Sequence, residues 1–509
     1  MKQPKIYNTE EDLIKWLKYD LNKQRKKIAK NKSIKKYLVK NEELTLNIGD
    51  KNRVGFNFFT IENFDRIDNY RIKVNFEFDI RKIINKLIRT NNNDCPFYIN
   101  ANNIEFNEIT NIASKYNQNV DYSYSIFNKE VYSIMLNFDN YVNFDNSIFK
   151  SYTNFSSCYF YNGANFSQVS FQYVDFRESN FEKNANFSGS NFINGCSFLL
   201  SYFNKRVCLS LAKFYDYCDF RAINSNNIID FTNSEFYGCF DLTDCNCKGI
   251  NLNYSEISGK LYIGERITSK YTKFIFISME DIILKDIDST ILIENCYFKY
   301  MKLKNIFNNG IIYLKNIKSA NIDLYGTVIL GHIFVINCEF KNLKNWQTAR
   351  IFKHEEYKKS NSIKALEYHA EETKLYKKKL LNKPNKTLKD FGDIFSIYLS
   401  SLYSDNGLNW IKSIFMTILI TFIFFNIFYI PDLSQTNIRP CYYKYYFSSL
   451  IKYFIPTDYE QIKCYVDTSV RVNILIKIFG VIIYFADKIM FWYGSVQTVQ
   501  AFRKFSKKE

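Results

Sequence analysis

Phenylalanine recurs along the middle of this chain at an interval that belongs to neither a helix nor a plain strand. It stands at Phe144, Phe149, Phe155, Phe160, Phe166, Phe171, Phe176, Phe181, Phe187, Phe192, Phe198 and Phe203, and Leu209, Phe214 and Phe220 continue the series. Each step is five or six residues, mostly in alternation. A helix would space its apolar residues three and four apart, and a half-buried strand would place them at every second position. A second column runs two residues ahead of the first: Val142, Ser147, Thr153, Cys158, Ala164, Val169, Val174, Ser179, Ala185, Ser190, Cys196, Ser201, Val207, Ala212 and Cys218. Every member is small or β-branched. Positions two apart face the same side of extended backbone, so each short segment is predicted to turn one small and one large side chain inward. The residue between them is often Asn or Asp, as at Asn143, Asn165, Asp175, Asn186 and Asp219, types that favour turns and side-chain-to-backbone hydrogen bonds.

This pattern resembles the pentapeptide-repeat family, in which a small residue sits two before a central Leu or Phe. The resemblance implies a mainly β protein: a right-handed, four-sided β-solenoid with one pentapeptide to a side. The sixth residue of alternate repeats would lengthen a coil from about 20 to about 22 residues. The match is clear from about Phe138 to Ile257. It recurs at Cys296/Phe298, Ala320/Ile322 and Cys338/Phe340, and has an imperfect start between Pro96 and Phe106. A solenoid is therefore expected over residues 93–345, about eleven coils rising ~4.8 Å each. Each buried Phe contributes about 1.5–3 kcal/mol, and the ends need caps. Residues 1–92 are expected to form an α/β cap region. It has a helix over 9–40 opening at Thr9 and a strand in IKVNFEFDI. Residues 346–392 read as a helical linker, with a helix over 347–381 that Pro384 closes.

The C-terminal hydrophobic pattern is of another kind. Ser413 to Ile430 runs eighteen residues without a charge, behind Trp410 and Lys412, which is long enough for a membrane helix. A second span is expected from about Val481 to the basic pair Arg503 and Lys504, making residues 393–509 a two-helix transmembrane hairpin. The spans carry Asn426, Asp487 and Lys488. Such groups are expensive in lipid and should face protein or water. The two depths are similar, so Asn426 and Asp487 are predicted to meet, across the hairpin or between subunits, with Lys488 on a different face. Lysines from Lys374 to Lys389 and the tail RKFSKKE flank the spans. The positive-inside rule then places both termini in the cytoplasm, with an inner cell membrane as the location and residues 431–471 outside. Cys441 and Cys464 would be exposed to an oxidising compartment there, with a disulfide between them as an expectation. VQTVQAFRKF and SDNGLNWIKSIFMT resemble the tails of bacterial pentapeptide-repeat proteins with a two-helix membrane region.

Composition narrows the function classes. The chain holds 48 Phe and 40 Tyr against 16 Gly and 6 Pro, and its net charge is +17. The basic excess avoids the clearest repeats, where residues 138–260 hold 12 acidic and 9 basic side chains, a net of −3. Nucleic acid is thus not an expected partner. MKQPKIYNTEEDL has no apolar stretch resembling a signal peptide, so the solenoid thiols are expected to stay reduced. Cys at inward positions reads as a compact filler, and no zinc-type CxxC pair is present. His354 and His369, with the Glu residues beside them, read as exposed helix charges. There is no P-loop, GxSxG, HExxH or GxGxxG, and only 3 His. No enzyme activity, catalytic residue, metal or cofactor is expected. Three readings remain. The first is a membrane-anchored scaffold or interaction protein whose partners are the bilayer and an unidentified protein. The second is a channel-like assembly of two-helix subunits, hence a homo-oligomer. The third, allowed by the resemblance, is a topoisomerase-binding DNA mimic, and the near-neutral solenoid ranks it last.

Overall fold

The computed structural model describes residues 6–17, 19, 55–57, 72–87, 98–101, 104–112, 120–265, 272–434, 446–455, 462–463 and 474–506. The chain forms two compact units, Met1–Asn342 and Leu343–Glu509.

The first unit is a parallel β-solenoid. One coil shows how the sequence builds it. Val142–Asn143 forms one wall. Ile148–Asn154 then bends round a corner, so that its start pairs with Ile126–Phe127 and its end with Val131–Tyr132. Tyr159–Phe160 forms the fourth wall on Asn137–Phe138. The chain then returns as Ala164–Asn165, in parallel register with Val142–Asn143. Among the described residues one wall carries 13 strands in unbroken succession, from Gly55–Asn57 to Glu339–Leu343.

The five-and-six alternation has a geometric cause. Five-residue steps such as Phe144 to Phe149 and Phe155 to Phe160 pass a tight corner. Its third residue is left-handed, as at Asn146 (φ 58°) and Ser157 (φ 55°), and the backbone closes on itself through Ser147 N–H to the Phe144 carbonyl at 3.1 Å. The extra residue of a six-residue step sits in the wider corners. It is absent between Phe171 and Phe176, which is why a coil closes in 21 residues there, as Ala164 to Ala185 does, and in 22 in the coils on either side, as Val142 to Ala164 and Ala185 to Val207 do.

The parallel ladder also reaches back before residue 93. Ile6–Tyr7 pairs with Ile72–Val74, which pairs with Ile104–Phe106. Along the same edge Asn75 donates to Asn8 (2.9 Å), Asn107 to Asn75 (2.6 Å) and Asn128 to Asn107 (2.6 Å). Residues 10–17 are helical and bury Leu13, Ile14 and Leu17, and helix α1 (Ile80–Leu87) follows a corner of the ladder. Most of the helix expected over 9–40 lies outside the described residues.

The second unit is helical: α2 (Trp346–Lys358), α3 (Ser362–Leu381), α4 (Leu388–Ser404), α5 (Trp410–Ser434), α6 (Tyr446–Phe454) and α7 (Ile474–Ser506). Two stretches, Trp410–Phe428 and Lys477–Phe502, are long and apolar enough to cross a membrane. Capping agrees with the boundaries. Asn345 caps α2, Asn361 caps α3, and Thr387 with Asp390 forms a reciprocal capping box on α4.

Candidate functional site

The interior of the solenoid is filled by its own side chains. Phe144, Phe149, Phe155, Phe160, Phe166, Phe171, Phe176, Phe181, Phe187, Phe192, Phe198 and Phe203 are all buried. All but Phe187 and Phe203, which are followed by Leu209 and Ser225, lie over the equivalent ring of the next coil: Phe144 on Phe166 at 5.2 Å, Phe166 on Phe187 at 5.0 Å, Phe160 on Phe181 at 4.6 Å, with planes within 6°. Rings on adjacent walls meet edge to face, as Phe181 and Phe187 do at 78°, and rings on opposite walls do the same, as Phe176 and Phe187 show. Both arrangements suit the aromatic quadrupole.

The small column does more than make room. Ser147, Ser179 and Ser201 each donate to a carbonyl of the previous coil, at Tyr122, Phe155 and Phe176, all at 2.7 Å. Cys245 and Cys338 make the equivalent bond with sulfur, to Phe220 and Leu314. A hydroxyl or thiol at these positions thus satisfies a carbonyl in the interior. Burial pushes the Cys158 thiol up to about 12 and raises Cys196, which pairs in register with Cys218. These cysteines are protonated fillers and poor nucleophiles. Among the described residues no three of His, Cys, Asp and Glu converge as metal ligands.

The residues between the columns lie on the outside and bond along the axis. Asn143 donates to Asp121, Asn165 to Asn143 and Asn186 to Asn165, each at 3.0 Å. Asn143, Asn165 and Asn186 also accept from the backbone two residues on, the turn chemistry expected of them. Asp175 and Asp219 hold Arg177 and Arg221 in the same manner.

In the helical unit α2 and α3 share a charged cluster. Glu372 accepts from Arg350 (2.7 Å) and Lys353 (2.6 Å), beside His369. Burial alone would raise its carboxyl, but bonds from His369, Lys353 and Arg350 hold it down at about 2. His369 is exposed on its helix, as read from the sequence, and its imidazole stands 3.7 Å from the buried Glu372.

The three polar residues of the apolar helices, Asn426 part-buried and Asp487 and Lys488 buried, are paired differently from the expectation. Asn426 donates to the Phe422 carbonyl and accepts from Tyr446 of α6 at 2.9 Å. Asp487 is fully buried, 3.4 Å from the ammonium of Lys488. Lys488 is itself buried, bonded to the Tyr453 carbonyl and set over the rings of Tyr453 and Tyr484 at 4.2 and 4.7 Å. Asn426 and Asp487 share no hydrogen bond, because α6 supplies the partners of Asn426 and Lys488 and the carboxylate of Asp487 faces the Lys488 ammonium. Similar depth alone did not reveal it. Cys441 and Cys464 lie outside the described residues.

A polar seam that the sequence reading passed over lies lower in the same unit. Gln497 of α7 accepts from Ser404 (2.6 Å) and Ser400 (3.3 Å) of α4. The Tyr403 hydroxyl donates to the Met490 carbonyl at 3.2 Å. Thr498 donates to Ser413 of α5 at 2.9 Å, and Ser413 donates to the Gly494 carbonyl at 3.2 Å. A side chain on Gly494 would meet Thr417 Oγ1 at 2.1 Å, so three helices approach most closely there. The signal was present as Ser396, Ser400 and Ser404, four apart on one helical face.

Residues 155–201 match the family model described as pentapeptide repeats, in 9 copies. No curated protein and no solved structure matches the chain.

Proposed function

Because the chain carries pentapeptide repeats wound into a β-solenoid, we propose that it is a membrane-anchored scaffold, a rod that offers its walls to a protein partner. The observation that carries this reading is that the rod is solid. Its interior is spent on stacked rings and carbonyl-satisfying hydroxyls, so chemistry is left to the outer walls and to the helical unit. Two helices with apolar surfaces long enough for a bilayer support the anchor. Asp487 and Lys488, in the middle of the second, are buried and turned to one another. Alkaline carbonate washing of membranes tests the anchor. The full chain is expected to stay in the pellet and a chain ending before Trp410 to be released; release of both would overturn the anchor. Cross-linking on intact membranes, followed by mass spectrometry, tests the scaffold. A partner cross-linked to wall residues such as Tyr215 or Tyr237 supports it, and cross-links confined to the helical unit refute it.

One observation favours a channel-like reading as the second choice. Helix α6 packs between the long helices, through Tyr446 to Asn426 and the Tyr453 carbonyl to Lys488. Single-channel recording in planar bilayers separates the two, because a scaffold conducts nothing.

A further inference from the structure

Helix α4 is inside out for a helix in water. Leu388, Phe391, Phe395 and Tyr398 are spaced three, four and three apart and therefore form one stripe. All four are exposed, Leu388 at 91% and Phe395 at 62%. The opposite face is the one that packs. Ser400 and Ser404 bond Gln497, and the Ser396 carbonyl accepts from the Tyr493 hydroxyl at 3.5 Å. A helix on a water-soluble protein makes the reverse choice, burying its apolar stripe and wetting its serines. A polar inward face and an apolar outward face are what a hydrocarbon surround selects, since a hydroxyl there has no water to turn to.

We infer that α4 is a third lipid-contacting element, an interfacial helix lying in the headgroup and acyl boundary with Leu388, Phe391, Phe395 and Tyr398 directed into the bilayer. This rests on the membrane reading above and adds to it a segment that is too short and too charged at its start to be a span. Continuity argues for lipid as the occupant. Only residues 405–409 separate α4 from the apolar α5, and its serine face is bonded to the last third of the apolar stretch of α7. Charge argues the same way. The helix begins at a lysine-rich turn: Lys383 is paired to Asp390 at 2.7 Å, while Lys389 is exposed and Lys386 half-exposed. An amphipathic helix with aromatic residues on one side and lysines at the rim suits an anionic surface.

The experiment places a photoreactive p-benzoylphenylalanine at one position of the full chain, reconstituted in vesicles of phosphatidylcholine with about 30% phosphatidylglycerol. Adducts are read by mass spectrometry after irradiation. The positions are Phe395 and Tyr398 on the stripe, Ile418 on the exposed side of α5, and Tyr357, exposed on α2. Phe395 and Tyr398 are exposed, the Lys377 ammonium of α3 being set over the Tyr398 ring at 5.0 Å, so neither replacement disturbs a buried core. Lipid adducts are expected at Phe395, Tyr398 and Ile418 in comparable yield, with at least about tenfold less at Tyr357. Adducts at Ile418 without any at Phe395 or Tyr398 would overturn the interfacial helix and leave the anchor standing. No adduct at Ile418 would overturn the anchor itself. A chain-to-chain adduct at Phe395 in place of lipid would assign the stripe to a second copy and also overturn the proposal.

Discussion

The early and late coils of the solenoid share one backbone plan and fill it differently. From Val142 to Phe220 the inward pair is a small or β-branched residue and a phenylalanine, with Leu209 as the one exception to the ring. From Ile291 onward it is Ile291/Ile293, Met301/Leu303, Ile312/Leu314 and Ile322/Leu324, all buried, with Cys296/Phe298 as the one early-style pair among them. The strands lengthen to five and seven residues, Thr290–Glu294 and Cys296–Lys302, and a single left-handed asparagine joins them: Asn295, Asn316 and Asn337. A close-packed interior fixes the summed volume of a pair more strictly than the identity of either member. A ring demands a small companion, and a leucine leaves room for an isoleucine. The early coils gain stacking along the axis. The late coils lose most hydroxyl-to-carbonyl bonds but keep a few, such as Thr327 to the Leu303 carbonyl at 2.7 Å.

The harshest way to break this comparison is to put a charge in either interior. Phe187→Asp and Leu314→Asp should both unfold the solenoid, because each buries a carboxylate among apolar groups without a donor, at a cost of several kcal/mol. Replacing Ser188, between two inward pairs, should change stability by less than about 0.5 kcal/mol. Urea unfolding of the detergent-solubilised chain, followed by amide exchange, reads all three. Equal effects at Phe187 and Ser188 would refute the inward and outward assignment.

Volume exchange sharpens the comparison further. Ile312→Ala opens a hole in a late coil and should cost about 2–5 kcal/mol. Ala185→Ile overfills an early coil and should cost about 1–3 kcal/mol. Adding Phe187→Leu to Ala185→Ile converts that pair to the late type and should restore at least half of the loss. If the double variant is no better than the single one in the same unfolding assay, pair volume is not what the two halves conserve.

Smaller effects come from the bonds and turns. Ser201→Ala removes the donor to the Phe176 carbonyl and should cost about 1 kcal/mol, whereas Ala212→Ser adds a hydroxyl at an equivalent early position and should be nearly neutral. Leu211 holds φ 61° at a tight corner and is exposed. Leu211→Asn should stabilise by up to about 1 kcal/mol, since asparagine tolerates that conformation. A loss of stability would show that the exposed leucine packs on something outside this chain.

These differences explain what could be read in advance. The early coils were legible because Phe fills the second inward position at almost every step, so the interval of five or six residues stands out. The late coils carry the same two-apart pairs, but isoleucine in the first position hides them among ordinary strand residues. Ala320 was paired with Ile322 on the expectation of a small residue. Ile322 is buried with Leu324, and Ala320 is only half-buried. The N-terminal strands Ile6–Tyr7 and Ile72–Val74 were invisible for another reason: they join the ladder across long separations that no local interval marks. In the helical unit, span lengths followed from hydropathy, while the partners of Asn426, Asp487 and Lys488 depended on where α6 packs.

The coil-by-coil ladder has a mechanical consequence. Each coil is bonded only to the one before and the one after, by short parallel strands whose hydrogen bonds lie along the axis. A pull along that axis, with one end of the rod held, loads those bonds in series, so one coil should peel before the next is strained. An event in the early coils would release 21 or 22 residues, about 70 Å of contour at ~3.3 Å per residue, and the coil from Lys260 to Thr290 would release 30. Under tension such a rod would lengthen coil by coil in discrete steps, and a slackened one could rewind onto the last intact coil as its template.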